Sequence, residues 1–414
     1  MRERIYLCLA HMSGREQAFI QEAFDTNWVV PLGPNVNGFE ADLKAFIGGE
    51  HEVVALSSGT AAVHLALIAC GVGPGDEVLV QSFTFCASSH PVTYLGATPV
   101  FVDSEPETWN MDPALLERAI EDRIAKTGRK PKAIIPVALY GMPYRADEIM
   151  AIAGKYDIPV IEDAAEGFGS RYQGRVLGTF GKYGVLSFNG NKMITTSGGG
   201  ALITPDAASW REVMMYATQY REGYPYYQHE KIGYNYRMSN ICAGIGRGQM
   251  TVADAHIAHH QHVQSLYEAL LADVPGIRVH AQPATGEYDS NYWLCTVTLD
   301  PSLRVKGQEQ AYRTVVKGAV GGAAGVIHEA ESATTDCQPN ENVEALRLQL
   351  DAAGIEARPL WKPMHKQPVY KNAPAYVNGV SETLFRQGMC LPSGPCVSDD
   401  DVRYIVDTIK SAIV

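Results

Sequence analysis

The chain lacks several features that would narrow its class at once. Its eight cysteines include no C-x-x-C pair and are scattered from Cys8 to Cys396. That pattern fits reduced thiols in a cytosolic protein better than a disulfide framework or a zinc site. Positive charge is scarce: 34 Lys and Arg stand against 46 Asp and Glu, a formal net charge of -12. This argues against nucleic acid as a partner. It leaves room for an anionic small substrate, which needs only a local cluster of cations or backbone N–H groups. No run approaches the roughly 18 apolar residues of a membrane helix. The opening "MRERIYLCLAHMSG" has a basic start, but its apolar stretch is brief and leads directly into the helical pattern "REQAFIQEAF". It therefore reads as part of the folded chain, not as a signal peptide. A G-x-x-x-x-G-K-[ST] phosphate loop is missing, and no G-x-G-x-x-G fingerprint stands in the right place.

What is present is apolar and periodic. The 414 residues are 46% hydrophobic, enough for a large core and more than one domain. Short apolar runs recur at 53–58, 77–82, 99–104, 133–139, 159–165, 185–189 and 201–204. Several are almost wholly apolar, as for strands covered on both faces. Helical patterns lie between them, among them "NMDPALLERAI", where Asp112 can cap and Pro113 can open the helix. The alternation predicts an α/β fold, a mostly parallel sheet with helices on both faces. A long helical stretch follows over about 240–273, and the domain boundary is placed within it: a large α/β domain over 1–250 and a smaller C-terminal α+β domain over 251–414. Strands are expected in "YWLCTVTL" and "EARPLW", with a last helix from about 399. The glycine-rich 315–325 segment reads as a loop or insertion.

Three motifs carry chemistry. In "SSGTAAVHLAL" a strand gives way to a helix, so Ser58, Gly59 and Thr60 can offer N–H groups and hydroxyls to a phosphate. The plainer alternative is an ordinary capped helix. "PVIEDAAEGFG" ends a strand on Glu162, Asp163 and then Glu166, where α/β folds bind ligands. A carboxylate there can hold a pyridine nitrogen protonated; its alternative is a strand-end cap. "SFNGNKMITTSGGG" delivers Lys192 on a glycine-rich turn after a core strand. A buried bare ammonium is costly. Either Lys192 escapes to solvent, or its amine is covalently held by a carbonyl cofactor.

Taken in order, the three motifs supply what pyridoxal 5'-phosphate requires: a phosphate anchor, a carboxylate for the ring nitrogen, and a lysine for the carbonyl. Ser187 can add a hydroxyl to the phosphate. Phe85, in "QSFTFCAS", can lie on the ring or pack in the core. "HIAHHQH" at 256–262 mixes helical spacings, but no nearby cysteine or carboxylate set completes a site. It reads as a solvated helix face, and no metal is expected.

From "NWVVPLGPNVNGFE" through these motifs to "GYNYRMSNICAGIG", "RPLWKPMHKQPVY" and "CLPSG", the sequence resembles the DegT/DnrJ/EryC1/StrS family of nucleotide-sugar aminotransferases. The resemblance implies the type I pyridoxal-phosphate aminotransferase fold. "NGNKMITTSGGG" and "RPLWKPMH" resemble most the branch aminating UDP-linked 2-acetamido-4-keto-2,4,6-trideoxy-hexose, as in bacillosamine biosynthesis. It further implies Lys192 as covalent anchor and proton shuttle, Asp163 at the ring nitrogen, and Gly59, Thr60 and Ser187 at the phosphate. Asn235 would reach the phosphate from a second subunit, making a homodimer. Glu166 departs from the His or Gln of many members, near the ring's 3-oxygen. Arg237, Lys362 and His365 become candidates near the sugar nucleotide, and L-glutamate the expected donor. The tyrosine-rich 221–237 segment can serve substrate, dimer interface or both. Two other readings stand beside this one. A lyase or dehydratase on the same fold conflicts with Lys192, which related dehydratases commonly replace with His. A cofactor-free binding protein conflicts with the intact Asp163 and Lys192 pair. Other sugars, a C3-keto sugar or GDP-4-keto-6-deoxymannose, remain alternatives.

Overall fold

The structure, a computed structural model, describes residues 2–312, 317–319, 327–329 and 337–414. The apolar runs form the strands Glu52–Leu56, Glu77–Gln81, Thr98–Val102, Ala133–Ile135, Ile161–Asp163, Tyr183–Ser187 and Gly200–Thr204. Thr98–Val102, Glu77–Gln81 and Ala133–Ile135 pair in parallel, as do Ile161–Asp163 and Tyr183–Ser187. Parallel bridges from Ile134 to Val160 and from Val137 to Asp163 join these groups. Gly200–Thr204 runs antiparallel to both its neighbours, Glu52–Leu56 and Tyr183–Ser187. The segment carrying Lys192, between Tyr183–Ser187 and Gly200–Thr204, forms no helix and so supplies no crossover of the usual parallel kind.

Alternate residues of these strands enter two separate cores. Leu79, Val100, Ile134 and Ala201 join one, whereas Val78, Val80, Phe101, Ile135 and Leu202 join the other. This is the two-sided burial expected of such apolar strands. The helix Gly59–Ala69 is buried from Ala61 through Leu67, which explains its nearly uninterrupted apolar sequence. Asp112 caps the helix Pro113–Thr127 through the N–H groups of Ala114 and Leu115 at 2.8 and 3.2 Å. The fold class is thus the α/β type expected.

The 240–273 stretch is two helices, Asn240–Met250 and Ala253–Leu271. Beyond them a second, antiparallel sheet forms from Ile277–Val279, Cys295–Leu299, Gly388–Leu391 and Arg358–Pro359. Its core gathers Val263, Tyr267, Val297, Leu346, Ile405 and Ile409. Ile5 belongs to this core as well, because the N-terminal segment bridges to Ile355. The chain also returns from this region to the first sheet: Ala375–Tyr376 pairs in parallel with Thr98–Val102. Asp103 fastens the return, accepting from the N–H groups of Asn378, Gly379 and Ser381. Of the 315–325 segment, read as a loop, residues 317–319 pair antiparallel with Ile327–Glu329; the rest lies outside the described residues.

The histidine run corrects its reading as a solvated face. His256 and His260 are buried with Val263, Tyr267 and Leu271 along one side of the helix Ala253–Leu271, at i+3 and i+4 spacings. Only His262 of the four is exposed, where it pairs with Asp399 at 2.9 Å.

Candidate active site

The Ile161–Asp163 strand sorts its two acids by pleat. Glu162 turns into the protein and accepts from the N–H groups of Gly178, Phe180 and Gly181. Asp163 turns to a cavity of about 850 Å³. There Ser88 Oγ donates to its Oδ2 at 2.6 Å, and the Ala165 N–H donates to Oδ1 at 3.2 Å. Ser88 Oγ also meets Thr84 Oγ1 at 2.7 Å. Since Ser88 gives its only proton to Asp163, Thr84 is the donor in that contact. Burial pushes the Asp163 carboxyl above its usual range, opposed by the Ser88 and Ala165 bonds and the charge of Lys192.

Lys192 lies on the turn between the Tyr183–Ser187 and Gly200–Thr204 strands. Its Nζ is 3.1 Å from Glu166 Oε1 and 4.0 Å from the centre of the Trp293 ring. The lysine side chain is 12% exposed, so it has not escaped to solvent. A cation–π contact of this kind contributes about 0.5–2 kcal/mol. Glu166 Oε2 accepts from the Tyr140 N–H at 2.7 Å. Burial pushes the Glu166 carboxyl up, with the Lys192 charge as the main opposing influence.

The helix Gly59–Ala69 opens onto the same cavity. Ser58 Oγ accepts from the Ala61 N–H at 3.0 Å, so this hydroxyl serves as the helix cap. First-turn N–H groups have no acceptor within a helix, which leaves those of Gly59 and Thr60 for an anion. Ser187 and Gly198 line the same corner. Its tightness explains Gly200: a Cβ there would stand 2.4 Å from the Gly59 nitrogen. The glycine lets the end of the antiparallel strand pass directly under the helix terminus.

Aromatic residues line the cavity as well. Phe85, Trp293 and Trp361 line the cavity, with Phe85 and Trp361 5.6 Å apart between ring centres. Phe85 is exposed, not packed in the core. Arg358 and Lys362 add positive charge to this lining, although Glu356 already binds Arg358 at 2.8 Å.

The structure thus brings together Ser58, Gly59, Thr60, Phe85, Asp163, Glu166, Ser187, Lys192 and Lys362. It does not bring Arg237 or His365 into this cavity. The Arg237 guanidinium is taken by Glu40 and by the Ala55 carbonyl, the latter at 2.8 Å. His365 Nδ1 meets Ser82 Oγ at 2.7 Å. Asn235 lines a neighbouring cleft of about 460 Å³ with Arg237, and the two hollows share Ser57 and Gly198. Sequence reasoning missed Ser88, Thr84, Trp293, Trp361 and Arg358. Ser88 lies in the hydroxyl-rich "TFCASS" after a strand, a signal that was open to use; Trp293 had none nearby.

A cavity joining a free helix terminus, a buried carboxylate and a confined lysine defines an enzyme that works through a phosphorylated pyridine aldehyde, and the residues present fit pyridoxal phosphate. Comparison with known proteins specifies the class. The chain belongs to the DegT/DnrJ/EryC1/StrS aminotransferase family, which it matches over residues 11–320 and 309–410. It is 43% identical to EpsN of Bacillus subtilis (strain 168), named as a candidate pyridoxal phosphate-dependent aminotransferase, over 99% of this chain and 96% of that one. It is 34% identical to the GDP-perosamine synthase of Caulobacter vibrioides over 99% of both chains. A crystal structure of a DegT DnrJ EryC1 StrS aminotransferase from Brucella abortus superposes with a TM-score of 0.81 at 29% identity, covering 96% of this chain and 95% of that one. The protein is accordingly a pyridoxal-phosphate-dependent transaminase of nucleotide sugars. Among the described residues, no helix is long and apolar enough to cross a membrane.

Proposed function

We propose that the enzyme aminates C4 of UDP-2-acetamido-2,6-dideoxy-4-keto-hexose, with L-glutamate as donor, in a cytoplasmic pathway of glycan assembly such as that to bacillosamine. The observation that carries this reading is the cavity itself, which gathers Lys192, Asp163 and the helix terminus with Trp293, Trp361, Arg358 and Lys362. The aromatic and cationic part of this lining suits a sugar carrying an anionic diphosphate, since aromatic faces stack on rings and cations meet phosphate.

When bound, pyridoxal phosphate supplies a carbonyl and a ring that accepts the electron pair released at the donor's α-carbon. The chain's own groups do the rest. The N–H groups of Gly59 and Thr60, with Ser187, hold the phosphate. Asp163, kept in place by Ser88 and Ala165, holds a proton on the ring nitrogen. Lys192 would hold the carbonyl through its Nζ and, with that amine free, would take the donor's α-proton there. It returns a proton to C4 of the sugar in the second half of the cycle. Glutamate leaves as 2-oxoglutarate, and the sugar ketone becomes an amine. Asn235 of a second subunit completes the phosphate contacts in a homodimer.

A second reading, a GDP-linked keto-sugar, is favoured by the full-length identity to a GDP-perosamine synthase. A panel of UDP- and GDP-linked 3-keto and 4-keto sugars, incubated with glutamate and read by mass spectrometry, tests both. The UDP-linked 2-acetamido-4-keto sugar should turn over fastest, with its new amine at C4. Preference for a GDP-linked sugar would replace the first reading by the second.

A further inference from the structure

Two ring N–H groups clasp the turn that carries Lys192. Trp293 Nε1 donates to the Asn191 carbonyl at 2.6 Å, and His256 Nδ1 meets the Met193 carbonyl at 3.2 Å. The residues on either side of Lys192, Asn191 and Met193, are therefore each held through their carbonyls from outside the turn. The His256 ring is buried, and its Nε2 lies 3.2 Å from His11 Nδ1. The two rings meet edge to face, 5.4 Å between centres.

Proton counting fixes the states of both rings. A carbonyl oxygen only accepts, so His256 Nδ1 carries a proton. Burial pushes the His256 pKa below its usual value, and the Met193 bond opposes this. The ring is neutral near pH 7, so its Nε2 presents a lone pair. His11 Nδ1 must then be the donor between the rings. His259 and Glu16 also act on His256, in opposite directions. His11 is itself tied to the same turn: Gln249 Nε2 donates to the His11 carbonyl at 2.8 Å, while Gln249 Oε1 accepts from the Thr195 N–H at 3.3 Å.

We propose that His256 is a positioning residue for Lys192, acting through the Met193 carbonyl, and that His11 locks the His256 tautomer this requires. Neither ring lines the cavity or touches the reacting atoms. The role is to hold the base of the lysine where its Nζ can reach both cofactor carbonyl and substrate carbon. A misplacement of about 1 Å in such a group can cost a hundredfold in rate. The inference rests on Lys192 as the reacting amine and on nothing about the sugar.

The test separates the lysine from the rest of the pocket. Pyridoxal phosphate capture by the apo-enzyme requires Lys192 and is followed by visible absorbance, with borohydride trapping to locate the label. Pyridoxamine phosphate binding requires the phosphate and ring contacts but no lysine bond, and is followed by tryptophan fluorescence. His256→Leu should slow capture and lower kcat about tenfold or more, with KM and pyridoxamine phosphate affinity within about twofold of wild type. His256→Asn places an amide N–H near the Nδ1 position and should restore capture to within about threefold. His11→Phe, at an exposed site, leaves the His256 tautomer unlocked and should slow capture by a smaller factor, about threefold. Equal losses in the Leu and Asn variants would overturn the proposal, since volume and not donation would then matter. So would a Leu variant that loses both cofactor forms alike, or one that behaves as wild type. An unchanged His11→Phe variant would remove His11 from it. Wild-type label at another lysine would instead overturn the site assignment, and this inference with it.

Discussion

Ser88 donates to Asp163 at 2.6 Å across 75 residues of sequence, joining the segment after one parallel strand to the end of another. The bond stabilises the ionised carboxylate against burial, which pushes its pKa up. Ser88→Ala should therefore raise the Asp163 pKa further. A carboxylate is lost as pH falls through its pKa, so the acid limb of the kcat profile should move to higher pH. The expected loss in kcat at neutral pH is about tenfold. An unmoved acid limb would show that Ser88 is only packing.

Asp163→Ala should lose far more activity than Glu166→Ala. In the proposed mechanism Asp163 governs the ring nitrogen, on which uptake of the electron pair depends. Glu166 touches Lys192 and the Tyr140 N–H, contacts that tune the amine and do not replace an electron sink. A difference of about a hundredfold in kcat is expected between the two variants. Both should retain wild-type circular dichroism. Equal losses or the reverse order would mean that the two acids exchange roles.

Glu16 predicts an acid-sensitive tether. Burial alone would raise its pKa, but bonds from Gln249, from the Ser13 N–H and from its own backbone N–H outweigh that and bring it down to about 2. A carboxylate with a lowered folded pKa stabilises the protein fully above its unfolded value, near 4.5, and loses that contribution as pH falls toward 2. Glu16→Gln should then lower stability by on the order of 2 kcal/mol at pH 7, and by progressively less below pH 4. Urea denaturation of both proteins at several pH values checks the convergence.

Much of this was legible because it is local. The apolar runs define the strands, and the glycine turn marks Lys192 as a special lysine. Strand alternation could have told Asp163 from Glu162, since the two must face opposite ways. Long-range pairing left no such mark. Nothing near Arg237 announces that Glu40, distant in sequence, claims its guanidinium. Trp293 reaches Lys192 from a segment distant in sequence, just ahead of the strand Cys295–Leu299. The return of Ala375–Tyr376 to the first sheet is two residues long, too short for any periodic pattern. The buried histidines were misread because burial of a polar ring depends on carbonyls such as that of Met193, which the sequence does not display.

The proposed homodimer can be tested by mixing subunits. Within one chain, Asn235 lies in the cleft beside the Lys192 cavity and not in it. Large apolar side chains are exposed in the segments around that cleft, among them Val29, Val30, Leu32, Tyr227 and Ile232. Such exposure suits a protein interface. A subunit docked there would bring its own Asn235 toward the phosphate corner. Lys192→Ala should abolish turnover, and Asn235→Asp should be severely impaired because its new charge would face a phosphate. A mixed dimer of these two chains holds one site with both defects and one site with neither. Co-expression of the two variants, with separate tags to isolate the mixed species, should therefore restore about half the wild-type kcat. Both parents should remain nearly inactive under the same assay. A mixed dimer no better than either parent would show that each chain builds its site alone, and Asn235 would then lose its assigned place at the phosphate.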